Sequence, residues 1–481
     1  MPASGVAARP RPAEAWGRAL PAAAATALFA LFLTLDHLPR FYQGDSIAYL
    51  ATGTSDWVPP DRSWAYGYAS RWIVERLGSA SALVAAQAAL LLGALLLLCR
   101  TVPYGPATRW AIPAFAAIAA LDPMSQGYAR FWLSDTPAAA AFLAFTALLA
   151  IGITAPPGRF WPVVPWLAVA GLTAVFVRVA YAPIMFGMLA GGAALASLYP
   201  ARARPPRLRR RLLALLPVPV AAVVLLVLAN SVVAIPSLRG KFFVNRMSDL
   251  YTLGVFLPGL RHDDFAAAGV PVTPAEFEGW DRTLDAREDQ VWGEGPGHMR
   301  WAMMQTLGVD QVYDARFQQA CADVLRAALR RHPQDLALTY LGSLAVSLDP
   351  ARWHRVMDAE IGFGRPLPDW VATYLTGVTG RPVAPSVTAQ PSLLTGWMQA
   401  TAAAYPALLL CGAAASAAVL ALARPFGPRH VLALALLGAL LAAPLFSHAV
   451  KPRYVLAPIM LSELLLLFAL VRPPAAGQSQ D

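Results

Sequence analysis

The chain has 481 residues, of which 57% are hydrophobic and only 14% charged, with a formal net charge of +10. Its mean hydropathy is +0.50, and an ordinary soluble domain, with roughly a quarter of its residues charged, does not look like this. Nucleic-acid binding is discounted as well, because the arginines cluster in short loops between hydrophobic runs rather than on a basic stripe with interleaved aromatics.

The sequence predicts an all-α polytopic membrane protein with about ten transmembrane helices, since many near-uncharged stretches reach the ~20 residues that cross a hydrocarbon core. In chain order these lie near Ala19–Leu38, Ser81–Leu98, Ala111–Leu121, Leu133–Thr154, Val163–Val177, Ala182–Leu198, Leu212–Ile235, Gly396–Ala423, Val431–Phe446 and Val455–Val471. The first reads as a retained anchor rather than a cleaved signal. Its apolar run is long, and no small-residue cleavage site stands out before Asp36-His37.

Orientation follows from arginine placement. Arg9, Arg11 and Arg18 precede the first span, Arg100 and Arg109 bracket the loop after the second, and Arg159 follows the fourth. Arg202, Arg204, Arg207, Arg209, Arg210 and Arg211 form the most basic loop, after the sixth span; Arg424, Arg429 and Arg472 follow later ones. With an inside N-terminus and an even number of spans, all of these fall on the cytoplasmic side, as the positive-inside rule requires. Both termini are then cytoplasmic.

Three outer regions remain. The loop Pro39–Ala80 carries Asp45, Asp56 and Asp61 with Trp57, Trp64 and Trp72. Within it, Trp64–Leu77 suits a helix lying flat at the interface, where Trp and Tyr rings prefer to sit. A short loop, Asp122–Trp132, leads to Asp135. The largest outer region, 236–395, separates an N-terminal membrane module, 1–235, from C-terminal membrane helices, 396–481. It is mostly helical in pattern: Phe317–Arg331 repeats apolar residues at helical spacing, and Asp335–Leu348 continues after His332-Pro333. Cys99, Cys321 and Cys411 form no disulfide framework and no zinc pattern.

Chemistry-bearing residues gather at the outer boundaries. Gly44 lets the backbone turn before Asp45, and Tyr49 shares a helical face with it. Asp45 reads equally as a helix N-cap, and Ser134-Asp135-Thr136-Pro137 as a cap with proline in the first turn. Arg178 stands between apolar stretches, so it either snorkels to the outer interface or pairs with Asp45, Asp135 or an anionic ligand. His448, Lys451 and Arg453, followed by Tyr454, form an outer basic cluster against the positive-inside rule. Such a cluster suits a phosphate or diphosphate head group, or attracts anionic lipid. No P-loop, GxGxxG, HExxH, GxSxG or EF-hand pattern is present.

These residues resemble the GT-C superfamily of polytopic glycosyltransferases, and within it family-39-like enzymes of bacterial envelopes. The shared features are an outer aspartate after the first span (Asp45), a second acidic position opening a helix (Asp135), Arg178 before Pro183, and Arg453-Tyr454 before Pro458. Leu329-Arg330-Arg331-His332-Pro333 is similar to outer-domain sequence of bacterial members. The chain departs from protein mannosyltransferases, which carry an adjacent Asp-Glu pair where Ser46 follows Asp45, and it has no WWD motif. A protein acceptor is less expected than an envelope glycan or lipid for that reason.

The resemblance implies a polyprenyl-phosphate-linked sugar donor, hexosyl or pentosyl, and an envelope acceptor on the outer face of the bacterial inner membrane. It implies inverting transfer with Asp45 as general base. Arg178, Lys451, Arg453, Tyr454 and His448 would bind the donor phosphate, and Asp135 with Tyr49 would position the acceptor. Asp135 is also the candidate ligand for Mg2+ or Mn2+. The readings from other classes are a transporter or flippase of lipid-linked intermediates, and a non-catalytic assembly protein. Against transport, the acidic residues sit at the boundaries rather than mid-membrane, and no inverted repeat or pair of broken helices is evident.

Overall fold

Uncharged runs rich in Leu and Ala become helices in a bilayer because the backbone has no water to bond there. The structure, a computed structural model, describes residues 12–42, 44–55, 62–102, 108, 110–199, 207–232, 247–361, 366–389, 391–423, 425–445 and 451–470. Among the described residues no strand is formed, and the only sheet-like pairing is a single bridge between Arg40 and Phe131. Eight helices there are long and apolar enough to cross a membrane, and shorter apolar helices cover Ala19–Leu35 and Ala111–Leu121. Together they match the predicted spans.

Burial orders these helices. Asp135–Thr154 and Pro452–Ala469 are the most enclosed, each with 78% of its best window buried, so they form the centre of the bundle. Gly158–Val177 and Leu208–Val232, at 28%, lie on its outside. The enclosed face of Asp135–Thr154 is built of Ala138, Ala139, Ala147, Ala150 and Gly152 among larger residues. Small residues let neighbouring backbones approach closely where lipid supplies no hydrophobic drive.

The two ends of this central helix differ in charge. At its C-terminal end Arg211 donates to the carbonyls of Gly152, Ile153 and Ala155 at 3.1, 3.0 and 2.8 Å. The last carbonyls of a helix lack the partners its interior has, and a guanidinium reaches several at once; here the Gly152 carbonyl also accepts from the Ala155 N–H. At its N-terminal end stands Asp135, where the helix dipole favours a carboxylate. Over its 20 residues the axis rises about 30 Å. The basic loop and the acidic cluster therefore sit at opposite ends of one membrane helix.

Outside the bundle, residues from Met247 to Leu336 form a separate helical core. The helices Pro350–Ile361 and Asp369–Thr379 do not join it. Their Trp353, Met357, Ile361, Val371 and Leu375 pack into the larger core of the membrane part. The second half of the outer region thus lies on top of the bundle and brings its own side chains to the site below.

Candidate active site

Two outer loops are stitched into one frame. The Arg40 N–H donates to the Arg130 carbonyl at 2.7 Å, and the Trp132 N–H to the Arg40 carbonyl at 2.8 Å. Gln87, buried inside its membrane helix, donates to the carbonyls of Ala129 and Phe131 at 3.0 and 2.9 Å and accepts from the Tyr66 hydroxyl at 3.0 Å. A buried polar network holds its shape when every member is satisfied. This one fixes where the Asp135 helix begins. Ser134, expected to cap that helix, makes no side-chain cap. Its hydroxyl is instead 2.6 Å from that of Tyr49, which ties the first outer loop to the second.

Asp45 opens the helix Asp45–Ser55, entered through Gly44 at φ +91°, a turn that L side chains rarely adopt. This helix crosses Trp64–Leu77, the predicted interfacial helix, which is closed by Ser63 and by Gly78 in the left-handed conformation. At the crossing, a Cβ on Gly67 would lie 2.8 Å from Thr52 Cβ and 2.9 Å from the Tyr49 carbonyl. Gly67→Ala is therefore expected to push the Asp45 helix away, at a cost of about 1–3 kcal/mol. Thermal unfolding of the detergent-solubilised variant checks this, and an unchanged midpoint with unchanged activity would show that the crossing tolerates the methyl.

The charged residues named from sequence converge here. Asp45 accepts from Arg62 at 2.5 Å and from Arg453 at 2.9 Å. Arg178 caps its own helix, crosses over to pair with Asp135, and lies 4.4 Å over the Tyr454 ring. Of the alternatives for Arg178, the geometry shows pairing with Asp135. Lys451 donates to the Tyr42 hydroxyl at 2.6 Å and to Glu288 at 2.7 Å. Arg453 is only 3% exposed and stacks 4.2 Å over Tyr42. Its Nε lies 3.7 Å from Glu360, whose other oxygen accepts from Tyr128. Tyr49 is buried within the frame, against Tyr66. His448 lies outside the described residues, as do Asp56 and Asp61.

The electrostatics are those of a cation-rich site around the partly exposed carboxylate of Asp45. Burial works to raise the pKa of Asp45, but Arg62, Arg453, Lys451 and Arg178 outweigh it and hold the carboxyl below its usual value. Burial pushes Glu360 above the usual range despite Arg453 and Lys451. Burial also opposes the charge of Lys451, yet Tyr454, Glu288 and Tyr42 leave its pKa raised. Asp45 and Lys451 are thus ionised at neutral pH. Among the described residues the Nη1 and Nε donors of buried Arg453 have no hydrogen-bond partner.

Beside Arg453 lies a small, partly open cleft. Its lining combines polar Asp135, Arg178, Arg453 and Tyr454 with apolar Ile184, Ala439 and Ala443 from two membrane helices.

No protein-family model matches the chain, and no curated protein matches it. Two solved structures are similar to it: ArnT from Cupriavidus metallidurans bound to undecaprenyl phosphate, and ArnT from the same organism in the apo state. The first is 16% identical, with a TM-score of 0.34, covering 94% of this chain and 78% of that one. The second is 16% identical, with a TM-score of 0.37, covering 95% and 78%.

Arg62, Tyr42, Glu288 and Glu360 were not singled out from sequence. Arg62 carried a usable signal, a basic residue in an outer loop against the positive-inside rule. Glu360 carried another. In Pro350–Ile361 the buried face is Trp353, Met357, Glu360 and Ile361, so a carboxylate stands on the apolar stripe of an amphipathic helix. Tyr42 and Glu288 had none, because their contacts come from distant parts of the chain.

Asp135 was also the expected metal ligand. Among the described residues no three His, Cys, Asp or Glu side chains are grouped to hold an ion. The charge that Asp135 faces is Arg178. This donor set does not fit a Mg2+ or Mn2+ site, which wants several oxygens around the cation.

Proposed function

We propose that this chain is a membrane glycosyltransferase of the GT-C type, moving a sugar from a polyprenyl-phosphate donor to an envelope acceptor on the outer side of the membrane. The observation that carries this reading is a buried guanidinium, Arg453, with unfilled donors, at the junction of a carboxylate and a half-apolar cleft. A phosphate on a lipid matches the chemistry of that lining: its anion would meet Arg453 and Arg178, with Lys451 nearby, and its first isoprenoid units would meet Ile184, Ala439 and Ala443. Charge-assisted bonds to phosphate are among the strong ones, and a guanidinium offers two in parallel.

In the proposed reaction Asp45 takes the proton of the acceptor hydroxyl. The hydroxyl oxygen bonds to the anomeric carbon as the bond from that carbon to the phosphate oxygen breaks. Attack from the face opposite the phosphate inverts the configuration. Arg453 and Lys451 stabilise the negative charge that grows on the departing lipid phosphate. Arg178, held by Asp135, and Tyr49, held by Ser134, fix the walls around the reacting groups.

The test is transfer by the purified chain reconstituted in vesicles with a panel of polyprenyl-phosphate sugars, guided by mass analysis of envelope glycans and lipids from cells lacking the protein. Loss of one sugar from one envelope component supports the reading. An unchanged envelope together with translocation of an intact lipid-linked sugar would replace it with transport.

Glu288 yields a separate expectation. Its side chain is 45% exposed while pairing with Lys451, so the pair is worth about 0–1 kcal/mol. An incoming phosphate competes with it. Glu288→Gln should tighten binding of undecaprenyl phosphate by up to about fivefold, read by titration of the solubilised protein. Weaker binding would show that Glu288 orients Lys451 rather than competing for it.

A further inference from the structure

The helix Pro333–Ser347 of the outer region is inside out. Its buried positions are Leu336, Ser343 and Ser347, while Leu338 and Leu341 are 67% and 56% exposed. Ala337 and Ala345 share the exposed side, so from Ala337 to Ala345 the face turned away from the protein is an apolar stripe at helical spacing, with Gln334 at its N-terminal end. Asp335 is its only charged residue, and Arg261 holds that carboxylate at 2.6 Å. Ser343 is turned inward onto a partner, accepting from buried Arg287 at 2.5 Å, and the Ser347 hydroxyl donates to the Ser343 carbonyl of its own helix at 2.5 Å. The Ser347 carbonyl accepts from the Trp353 indole at 2.7 Å.

What lies beside the stripe decides its partner. The Tyr340 hydroxyl donates to the Leu441 carbonyl, in the last turn of the membrane helix Pro428–Ala442, whose final carbonyls have no helical partner. Leu441 and Leu445, at this end of that span, are 50% and 41% exposed. The stripe thus adjoins exposed apolar residues of a helix long and apolar enough to cross a membrane. Leu329 and Arg330 are exposed just before the helix and Arg355 in the helix that follows, so basic residues flank the stripe in sequence.

We propose that Pro333–Ser347 is a membrane anchor of the outer region, lying in the outer leaflet with Leu338 and Leu341 at the boundary between head groups and acyl chains. Its partner is the lipid surface. A helix of this kind lies in the plane of the interface with its apolar face in the lipid. Its inner face grips Arg287, and the next residue, Glu288, meets Lys451. The anchor thus sets the height at which the outer region meets the site. This inference needs the membrane reading but not the transferase reading.

The test uses the full chain with Cys411→Ser, since Cys99 and Cys321 are buried. Leu338→Cys, Leu341→Cys and, as a water-facing control, Glu278→Cys are labelled singly with an environment-sensitive fluorophore and reconstituted. Vesicles contain phosphatidylethanolamine and phosphatidylglycerol, with or without a nitroxide high on the acyl chain. Labels at 338 and 341 should emit to the blue, lose fluorescence to the nitroxide lipid and resist aqueous iodide; the label at 278 should do the reverse. Iodide quenching without nitroxide quenching at 338 and 341 would overturn the anchor. Protection from both quenchers would also overturn it, because a second protein surface would then cover the stripe.

Discussion

Asp45→Asn should lower the turnover of sugar transfer by roughly 100-fold or more. The carboxylate keeps one-fifth of its side chain exposed, between the guanidiniums of Arg62 and Arg453. Asparagine keeps the size but removes the proton acceptor. It also sets an amide against two guanidiniums, Arg62 at 2.5 Å and Arg453 at 2.9 Å, so some loss of folded protein accompanies it. Rates must therefore be compared at equal amounts of monodisperse protein. Loss of the base lowers kcat with little change in KM, whereas a disturbed donor site raises KM. The pH profile is a second check. The cations around Asp45 hold its pKa below the ordinary value of about 3.9. Its basic form therefore persists as pH falls and is lost only on passing below that value. Near-normal kcat in the asparagine variant would leave Asp45 as a counter-ion for Arg453 and nothing more.

The fold was legible because membrane helices announce themselves. Length and lack of charge are local properties, and the ten spans they predict agree approximately with the eight long apolar helices and two shorter ones among the described residues. Trp64–Leu77 was legible for the same reason, its aromatics being read in place. The site was legible only in part. Asp45, Asp135, Arg178 and Arg453 stood out because a charge beside an apolar run is costly and so calls for a reason. Their pairings were not written in their neighbourhoods. Arg178 had Asp45, Asp135 and lipid as candidates, and only packing chose Asp135. Arg453 was expected to meet a phosphate or anionic lipid from an outer loop, and nothing near it in sequence announced that the helix Pro350–Ile361 folds over it and supplies Glu360. The outer region likewise looked like one unit in sequence, while its two halves pack on different cores. Helical periodicity says which face is buried, and not against what.

Arg453 is where binding and folding are hardest to separate, and the surroundings provide the means. Arg453→Ala should weaken binding of undecaprenyl phosphate by about 10- to 100-fold, the worth of one hydrogen bond to a charged group. It should also destabilise the protein, because buried Glu360 and partly exposed Asp45 lose a shared counter-charge. Arg453→Lys keeps the charge without the planar fork, so its affinity should fall between wild type and alanine. Combining Arg453→Ala with Glu360→Gln removes the stranded carboxylate. That double variant should recover thermal stability yet bind the lipid phosphate no better than Arg453→Ala alone. Arg429, which stacks on Phe468 at the opposite end of the bundle, is the control, and Arg429→Ala should leave affinity unchanged. If affinity returns with stability in the double variant, Arg453 serves the fold and the phosphate is held by Lys451 and Arg178. If affinity stays low while stability returns, the guanidinium itself binds the donor.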